Sequence, residues 1–526
     1  NPELASYLDG AYGAYVTAFI INSLTFSLGL AGEFYREFEA LLKEKNLMCL
    51  DESNTILRDI INGSDAPFVY EKLGVRYEHF LLDEFQDTSN IQWDNFLPLL
   101  RESESRGDSS LIVGDVKQSI YRFRDSDWHL LGQKVGEEFP EADVETLDCN
   151  WRSSRRVVGF NNAFFSKAAE SLGLENIYSD VSQTPKTSEQ QEGQVRLTFC
   201  QDQLEAVMDS VIKAREAGAE WGDIAVLVRG KKQGADIADY LISNQVPVIS
   251  DDSLNMKSSG VVRRLTALLE AFENPDDSIS TFLAQSMDIS FPQTYHSLVD
   301  LCESLLRSLY DYDPASFEGE TLFIQAFMDE LQSWTEVNGN SLRYFLEHWE
   351  EQDRFIGSPE NSAAVRILTI HKSKGLEFPY VIFPFADKVG FYKSGVHWCR
   401  LDAGRAHLPA CLEGIYPVNL GSQAEASFFS DAVDEERGRQ IVDNINLFYV
   451  ALTRAEKCLH IISAPPTATF KNSLKAGRPD YKRMSDLLYE FGGSMDEISF
   501  GEDYDFRKMK RKGKSVEEEF PISFSS

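Results

Sequence analysis

Cysteine is sparse and unpatterned in this sequence: seven residues in 526, at positions 49, 149, 200, 302, 399, 411 and 458, with no CxxC pair. An odd, scattered set argues against a disulfide framework, structural zinc or an iron–sulfur cluster, and is expected of reduced thiols in a cytoplasmic protein. Positive charge is also short. Against 84 acidic residues stand 51 lysines and arginines, a formal net charge of −33. Such a chain does not coat nucleic acid by bulk charge, so any contact with a phosphate backbone must be a local groove. Long apolar runs are missing too, none approaching the roughly 18 uninterrupted residues of a membrane span. The nearest, "AYVTAFIINSLTFSLGLAG", carries Asn22 and several hydroxyls and is expected to be a buried helix or hairpin. Asp9 interrupts the place where the apolar core of a signal peptide would sit, so neither a leader nor a membrane partner is expected.

What is present is the composition of a globular protein, 43% hydrophobic and 26% charged, in a chain long enough for about three or four domains. The first eighty residues read as helices; "AGEFYREFEALLKEKN" sets Phe34, Phe38, Leu41 and Leu42 along one face. "HFLLDEF" and "SSLIVGD" are short apolar runs ending in aspartate, the pattern of parallel strands buried on both faces. "RRVVGFNNAFFSKAAESL" is an amphipathic helix expected to open on caps from Ser153 and Ser154. The polar, breaker-rich "SDVSQTPKTSEQQEGQ" is the best linker. Strand and helix signals alternate again from "VRLTFC" through "IAVLVRG" and "KKQGADIADYLISN", as in a second α/β unit. From about Val261 to Phe355 the pattern is helical and aromatic, before strands return at "AVRILTIH" and "PYVIFPFA". The expected division is 1–160, a linker at 161–194, a unit made of 195–260 and 361–465, a helical insertion at 261–360, and an extension at 466–526.

Within "LLDEFQDTS", Asp83 is placed to hold Mg2+ through its water shell and Glu84 to polarise an attacking water, both at the end of a strand. A strand stopped by solvated acids gives the same two letters. In "IVGDVKQSIYRFRDSD", Gln118 is placed to sense a terminal phosphate, and Tyr121 and Phe123 with Arg122 and Arg124 have the composition of a base-stacking patch. A hydrophobic turn with surface arginines reads alike. His371 has no second histidine or cysteine near it and is not a metal ligand; "RPDYKR" at 478–483 reads as a loop, and "RKMKRKGK" as a solvated tail.

Taken in order, DEFQDTS, GDVKQSIYRFR, NWRSS, TIHKSKGLEF and YVALTRA resemble the motif set of UvrD/Rep-type superfamily-one DNA helicases, closest in wording to the RecB/AddA branch, and span residues 81 to 457. The resemblance implies an α/β fold of two RecA-like P-loop NTPase lobes, the first incomplete, with the all-α insertion in the second. It implies ATP and Mg2+ as substrate and cofactor, 3′-to-5′ movement on single-stranded DNA, duplex ends as a further partner, and a role in DNA repair and recombination. Carried over by residue, Trp151, where the family has tyrosine, would stack on adenine and Arg152 would touch the γ-phosphate. Thr369 and His371 would lie near DNA with Arg124, Gly375 and Glu377 near the nucleotide, and Arg454 would be the arginine finger supplied by the second lobe.

One part of that pattern is absent. The only Gly-Lys-Ser triplet is Gly513-Lys514-Ser515, with Lys508 where the first glycine of GxxxxGK[ST] should stand, and no such loop precedes Asp83. Two explanations compete. The chain, which opens on Asn1, is expected to be the C-terminal part of a longer helicase, inactive alone as an ATPase; alternatively it is a degenerate paralogue kept for DNA binding or as a scaffolding subunit of a larger assembly. Under either explanation the candidate partner is a nuclease subunit, or a nuclease domain of the intact chain, docked by the helical insertion.

Overall fold

The computed structural model describes residues 8–62, 74, 77–186, 193–250, 256–274, 281–282, 286–287, 289, 291–292, 295–317, 320–351, 364–404, 406, 408–493, 495 and 497–509. The Gly513-Lys514-Ser515 triplet, most of the basic run at 507–514 and part of the stretch expected as linker lie outside them. The chain forms two compact units, residues 1–201 with 385–502, and residues 202–384 with 503–526.

The first unit begins with α1 (Gly13–Lys45), where Val16, Thr17, Ile20 and Ile21 recur at helical spacing and are buried. It is a helix and not a hairpin, ending at Asn46, which in the left-handed conformation (φ 52°) donates its backbone N–H in a hydrogen bond to Leu42 O. Beyond Leu24 most of its apolar residues lie at the surface; Phe26 is 83% exposed. The span Gly10–Lys45 is the one helix among the described residues long and apolar enough to cross a membrane, and its buried start packs in a protein core with Cys399, Leu401 and Val418.

Next come α2 (Leu50–Asn62), β1 (Leu81–Leu82), α3 (Asn90–Ser105) and β2 (Leu111–Ile112). Ser89 and Gln92 form a reciprocal capping box that starts α3, as the S-x-x-Q spacing dictates. β1 and β2 pair in parallel, Leu81 opposite Leu111, but they are not buried on both faces as expected. With two residues per strand, one face finds no cover: Leu81 and Leu111 are exposed, while Leu82 and Ile112 lean on Phe80, Phe85 and Trp93.

β3 (Cys149–Asn150), α4 (Arg155–Leu172), β4 (Thr184–Pro185) and β5 (Gln194–Phe199) complete this stretch. Ser154 is the N-cap of α4, yet its hydroxyl does not cap. Ser153 Oγ donates to Ala455 O at 2.7 Å and Ser154 Oγ to Lys457 O at 3.3 Å, so the serines tie the helix start to a distant strand. Gly193 (φ 70°) lies so close that a Cβ would collide with Ser154 Oγ.

The second unit holds α5 (Gln203–Glu216), β6 (Ile224–Val228), α6 (Lys231–Ser243), β7 (Val248–Ser250), β8 (Val365–Thr369) and β9 (Phe378–Phe383). These strands run parallel in the order β9-β6-β8-β7. All five residues of β6 are buried, the near-continuous apolar run of a parallel strand covered on both sides. Between β7 and β8, α7 (Gly260–Glu273), α8 (Leu298–Tyr312), α9 (Thr321–Asn338) and α10 (Leu342–Glu351) enclose a core around Leu268, Leu301, Phe327, Phe345 and Trp349.

The chain returns to the first unit with the antiparallel hairpin β10 (Val396–Leu401) and β11 (Gly414–Asn419). Then come α11 (Ser430–Leu452), β12 (Ala455–Ser463), α12 (Ala468–Lys475), α13 (Met484–Phe491) and β13 (Glu497–Phe500). β5 pairs with β12 in parallel and with β13 antiparallel. "RPDYKR" is the loop between α12 and α13. Every residue of α11 from Ile445 to Leu452 is buried, with Phe448 against Phe164 of α4. So deeply anchored a helix is a rigid base for the polar side chains it carries, Asn446 among them.

Candidate functional site

β1 ends because its two leucines give way to acids that have no place in a covered strand. Asp83 and Glu84 are both exposed at its end. Asp83 Oδ1 accepts from the Glu84 amide at 2.9 Å, and Glu84 sits in the left-handed region (φ 53°), a conformation that costs a non-glycine residue about 1 kcal/mol. Its carboxylate is held by Gln86, a residue that the motif reading did not single out. Gln86, almost fully buried, donates its amide to Glu84 Oε2 at 2.6 Å and accepts from the Asp115 amide at 2.9 Å. Ser119 Oγ donates to Gln86 O at 3.1 Å. A Cβ on Gly114 would stand 2.7 Å from Gln86 Oε1, so that glycine is what lets the side chain pass. The available signal was a glutamine two residues after an acid pair.

The second loop is drawn together in the same way. Gln118 Nε2 donates to Asp115 Oδ2 at 3.0 Å, and the buried Lys117 bridges Asp115 at 2.9 Å and Asp180 at 2.8 Å. From α11, the fully buried Asn446 donates to Val116 O at 2.9 Å and Ser119 O at 3.1 Å, and accepts from the Tyr178 hydroxyl at 2.7 Å. Burial pushes the Tyr178 phenol well above its usual range, so it stays a donor.

Just past the C-terminus of α11 lies Arg454, 1% exposed, donating from Nε to Val450 O at 2.9 Å and from Nη2 to Thr453 Oγ1 at 3.0 Å. Burial, then the neighbouring charge of Arg152, lower its pKa to about 10, while Tyr449, Glu84 and Asp115 act in the opposite sense. Arg152 donates to Thr453 O at 3.3 Å. Thus Glu84, Arg152 and Arg454, with Gln118 on Asp115, stand within electrostatic reach in one compact unit. Trp151 beside them is 68% exposed, with the Lys186 ammonium over its ring.

Tyr121 and Phe123 lie with ring centroids 5.8 Å apart, and the Arg124 guanidinium sits 5.5 and 5.6 Å from their centres. Phe123 is exposed. Arg122 does not belong to this patch, contrary to expectation. It turns away to Glu436 and Asp443 of α11, at 2.8 and 2.5 Å.

The second unit carries the other residues singled out from sequence. Thr369 ends β8, half-buried His371 lies in the helical turn that follows, Gly375 has φ 81°, and Glu377 is exposed before β9. A cavity of about 50 Å³ lined by Lys231, Gly234, Ser250, Ile367, Thr369 and Lys372 opens beside the first turn of α6. Among the described residues no three metal-ligating side chains gather.

Comparison with known proteins adds the family. The UvrD/REP helicase N-terminal domain matches residues 22–139, and the UvrD-like helicase C-terminal domain matches 146–299 and 322–465. Similar curated proteins include the A subunit of the ATP-dependent helicase/nuclease of Lactococcus lactis subsp. lactis, 24% identical over 537 residues, 82% of this chain and 44% of that protein. The protein of the same name from Streptococcus sanguinis is 24% identical over 74% of this chain and 40% of its own length. That of Lactococcus lactis subsp. cremoris is 26% identical over 66% and 36%. The chain therefore spans less than half the length of these relatives. With more than half of its residues matched by the C-terminal domain description, the chain belongs to the UvrD-like helicase family.

Proposed function

We infer that these residues form part of an ATP-dependent DNA helicase of the repair and recombination type, which couples ATP hydrolysis to 3′-to-5′ movement on single-stranded DNA. The observation that carries this reading is the set of bonds by which Gln86 ties Glu84 to the Asp115 loop while Arg152 donates to the Thr453 carbonyl next to Arg454. Glu84 polarises the attacking water and Gln118 orients it against the terminal phosphate. Arg152 and the buried Arg454 neutralise charge spread over the transferring phosphoryl oxygens. Asp83 would hold magnesium, which when bound would supply charge neutralisation at the phosphates. Trp151 stacks on the base, with Glu377 and Gly375 near the nucleotide. Tyr121, Phe123 and Arg124 grip single-stranded DNA, with Thr369 and His371 adding contacts. The reading includes two RecA-like lobes, 1–160 and 195–260 with 361–465, and the helices of 261–360 as an insertion that docks a nuclease subunit or domain. The relatives' name, which joins helicase and nuclease, supports that partner class.

The missing GxxxxGK[ST] before Asp83 favours a second reading for the 526 residues by themselves, a DNA-binding or scaffolding piece with little ATPase, since that loop's amides and lysine supply most phosphate binding. Steady-state ATPase with and without oligo(dT) tests it: negligible turnover is expected, and robust DNA-stimulated hydrolysis refutes it. Anisotropy with labelled oligo(dT) tests the motor's grip. Binding should weaken steeply with salt and with Tyr121→Ala or Phe123→Ala; salt-insensitive binding unaffected by both changes removes the stacking assignment.

A further inference from the structure

Arg122 lies between the two aromatic residues of the patch in sequence, and its side chain leaves on the opposite side. Its Nη1 and Nη2 donate to the two oxygens of Glu436 at 2.9 and 2.8 Å, a bidentate pair, and its Nε to Asp443 at 2.5 Å. Glu436 is 6% exposed, is also bonded by Gln440 Nε2 at 2.8 Å, and has His397 at 3.7 Å. Residues 436, 440 and 443 share one face of α11; the backbone positions of 436 and 443 are roughly 10 Å apart along its axis, and their carboxylates converge on the one guanidinium. Further along that helix Asn446 grips the loop carrying Gln118, and just beyond the helix comes Arg454. A fork held at three nitrogens has little freedom left, and it fixes the single helical turn Arg122–Arg124. That turn, bounded by Asp125 in the left-handed region (φ 64°), is the one that holds Phe123 outward.

We propose that Glu436 and Asp443 are positioning residues for single-stranded DNA: by gripping Arg122 from behind they hold Tyr121, Phe123 and Arg124 in the geometry that stacks a base, on the same helix that leads to Arg454. This rests on the reading of that patch as the DNA grip. It makes a prediction opposite in sign to simple electrostatics. Removing an acidic charge beside a DNA site relieves repulsion and should tighten binding. If the carboxylates act by positioning, their neutral isosteres weaken it instead.

The test uses the full 526-residue chain and oligo(dT) containing one 2-aminopurine, whose fluorescence reports stacking, with anisotropy for affinity. Glu436→Gln with Asp443→Asn should weaken binding about fivefold to tenfold, the scale of one disrupted base–aromatic stack, and change the 2-aminopurine signal of the complex. The salt slope should stay that of the unaltered chain, because no phosphate contact is removed. Asp443→Asn alone, which leaves the bidentate pair intact and threatens folding least, should give a smaller loss in the same direction. Unchanged or tighter binding by both variants, while Tyr121→Ala and Phe123→Ala still weaken it, overturns the positioning role and leaves the patch standing. Indifference to Tyr121→Ala and Phe123→Ala overturns the patch, and this inference with it.

Discussion

Replacing Asn446 with leucine removes a buried polar side chain of the first unit at almost constant volume. Asn446 is fully buried and makes three hydrogen bonds, to Val116 O, Ser119 O and the Tyr178 hydroxyl, at 2.9, 3.1 and 2.7 Å. Leucine fills the space, so no cavity term enters, but three partners lose their bond in a site closed to water. A neutral hydrogen bond contributes about 1 kcal/mol net, and stranding a buried partner costs about 1–3 kcal/mol. Because the three act through one group and are not additive, the expected loss is about 2–4 kcal/mol. Urea denaturation followed by circular dichroism and fluorescence measures it, with the midpoint falling and the slope unchanged. Tyr178→Phe removes one of the three bonds and should cost about 1 kcal/mol alone, but close to nothing on the Asn446→Leu background. A loss below about 0.5 kcal/mol, or two changes that simply add, refutes the view that Asn446 locks the Gln118 loop to α11.

Gly114→Ala places a Cβ 2.7 Å from Gln86 Oε1 and 2.8 Å from Leu131, and should destabilise by about 1–3 kcal/mol in thermal melts; a neutral outcome would mean that Gln86 is not confined. Glu84→Gly should be more stable than Glu84→Ala by about 1 kcal/mol, the reverse of the usual order, because both lose the carboxylate and only glycine accepts φ 53° freely. Burial alone would raise the Glu436 pKa, but the bonds from Arg122 and Gln440 and the charge of Arg122 hold it below the usual glutamate range. Its stabilisation is therefore present above about pH 4.3 and lost as pH falls through and below that value; Arg122→Met should flatten the stability profile between about pH 5 and pH 3, and an unchanged profile counts against the pairing. Arg454→Met should be neutral or stabilising, by up to about 3 kcal/mol, since it removes a buried cation beside Arg152; a loss above about 2 kcal/mol in urea titration contradicts that account.

Short-range pattern carried much of this fold. The periodicity of 155–172 marks α4 to the residue, and apolar runs ending in acids mark β1 and β2, because these signals depend on neighbours within a turn or a strand. The failures share one cause. Ser153 and Ser154 stand where caps belong, yet their hydroxyls serve Ala455 and Lys457, some 300 positions away. Arg122 resembles Arg124 in sequence and differs from it wholly in space, because its partners are 314 and 321 residues distant. Gln86 and Asn446 carry no charge and no motif role by type; only the carbonyls and amides folded around them give them one.

The costs in this unit are concentrated. Glu84 is held at φ 53°, Gly114 leaves no room for a Cβ, Gln86 and Asn446 are polar and buried, and Arg454 is a nearly dry guanidinium beside a second one. By contrast the strands β6 and β9 of the second unit are almost wholly apolar and buried, with no such burden. Folding alone does not select for strain, tight clearance and like charges on the same few residues. What α11 supplies is the compensation: eight consecutive buried residues from Ile445 to Leu452, packed on the aromatic face of α4, hold Asn446 and Arg454 in place regardless of their polarity. Arg152 and Arg454 set two guanidiniums side by side, an arrangement suited to a polyphosphate, so Arg454→Met should weaken affinity for that anion even where it leaves stability unchanged or raised.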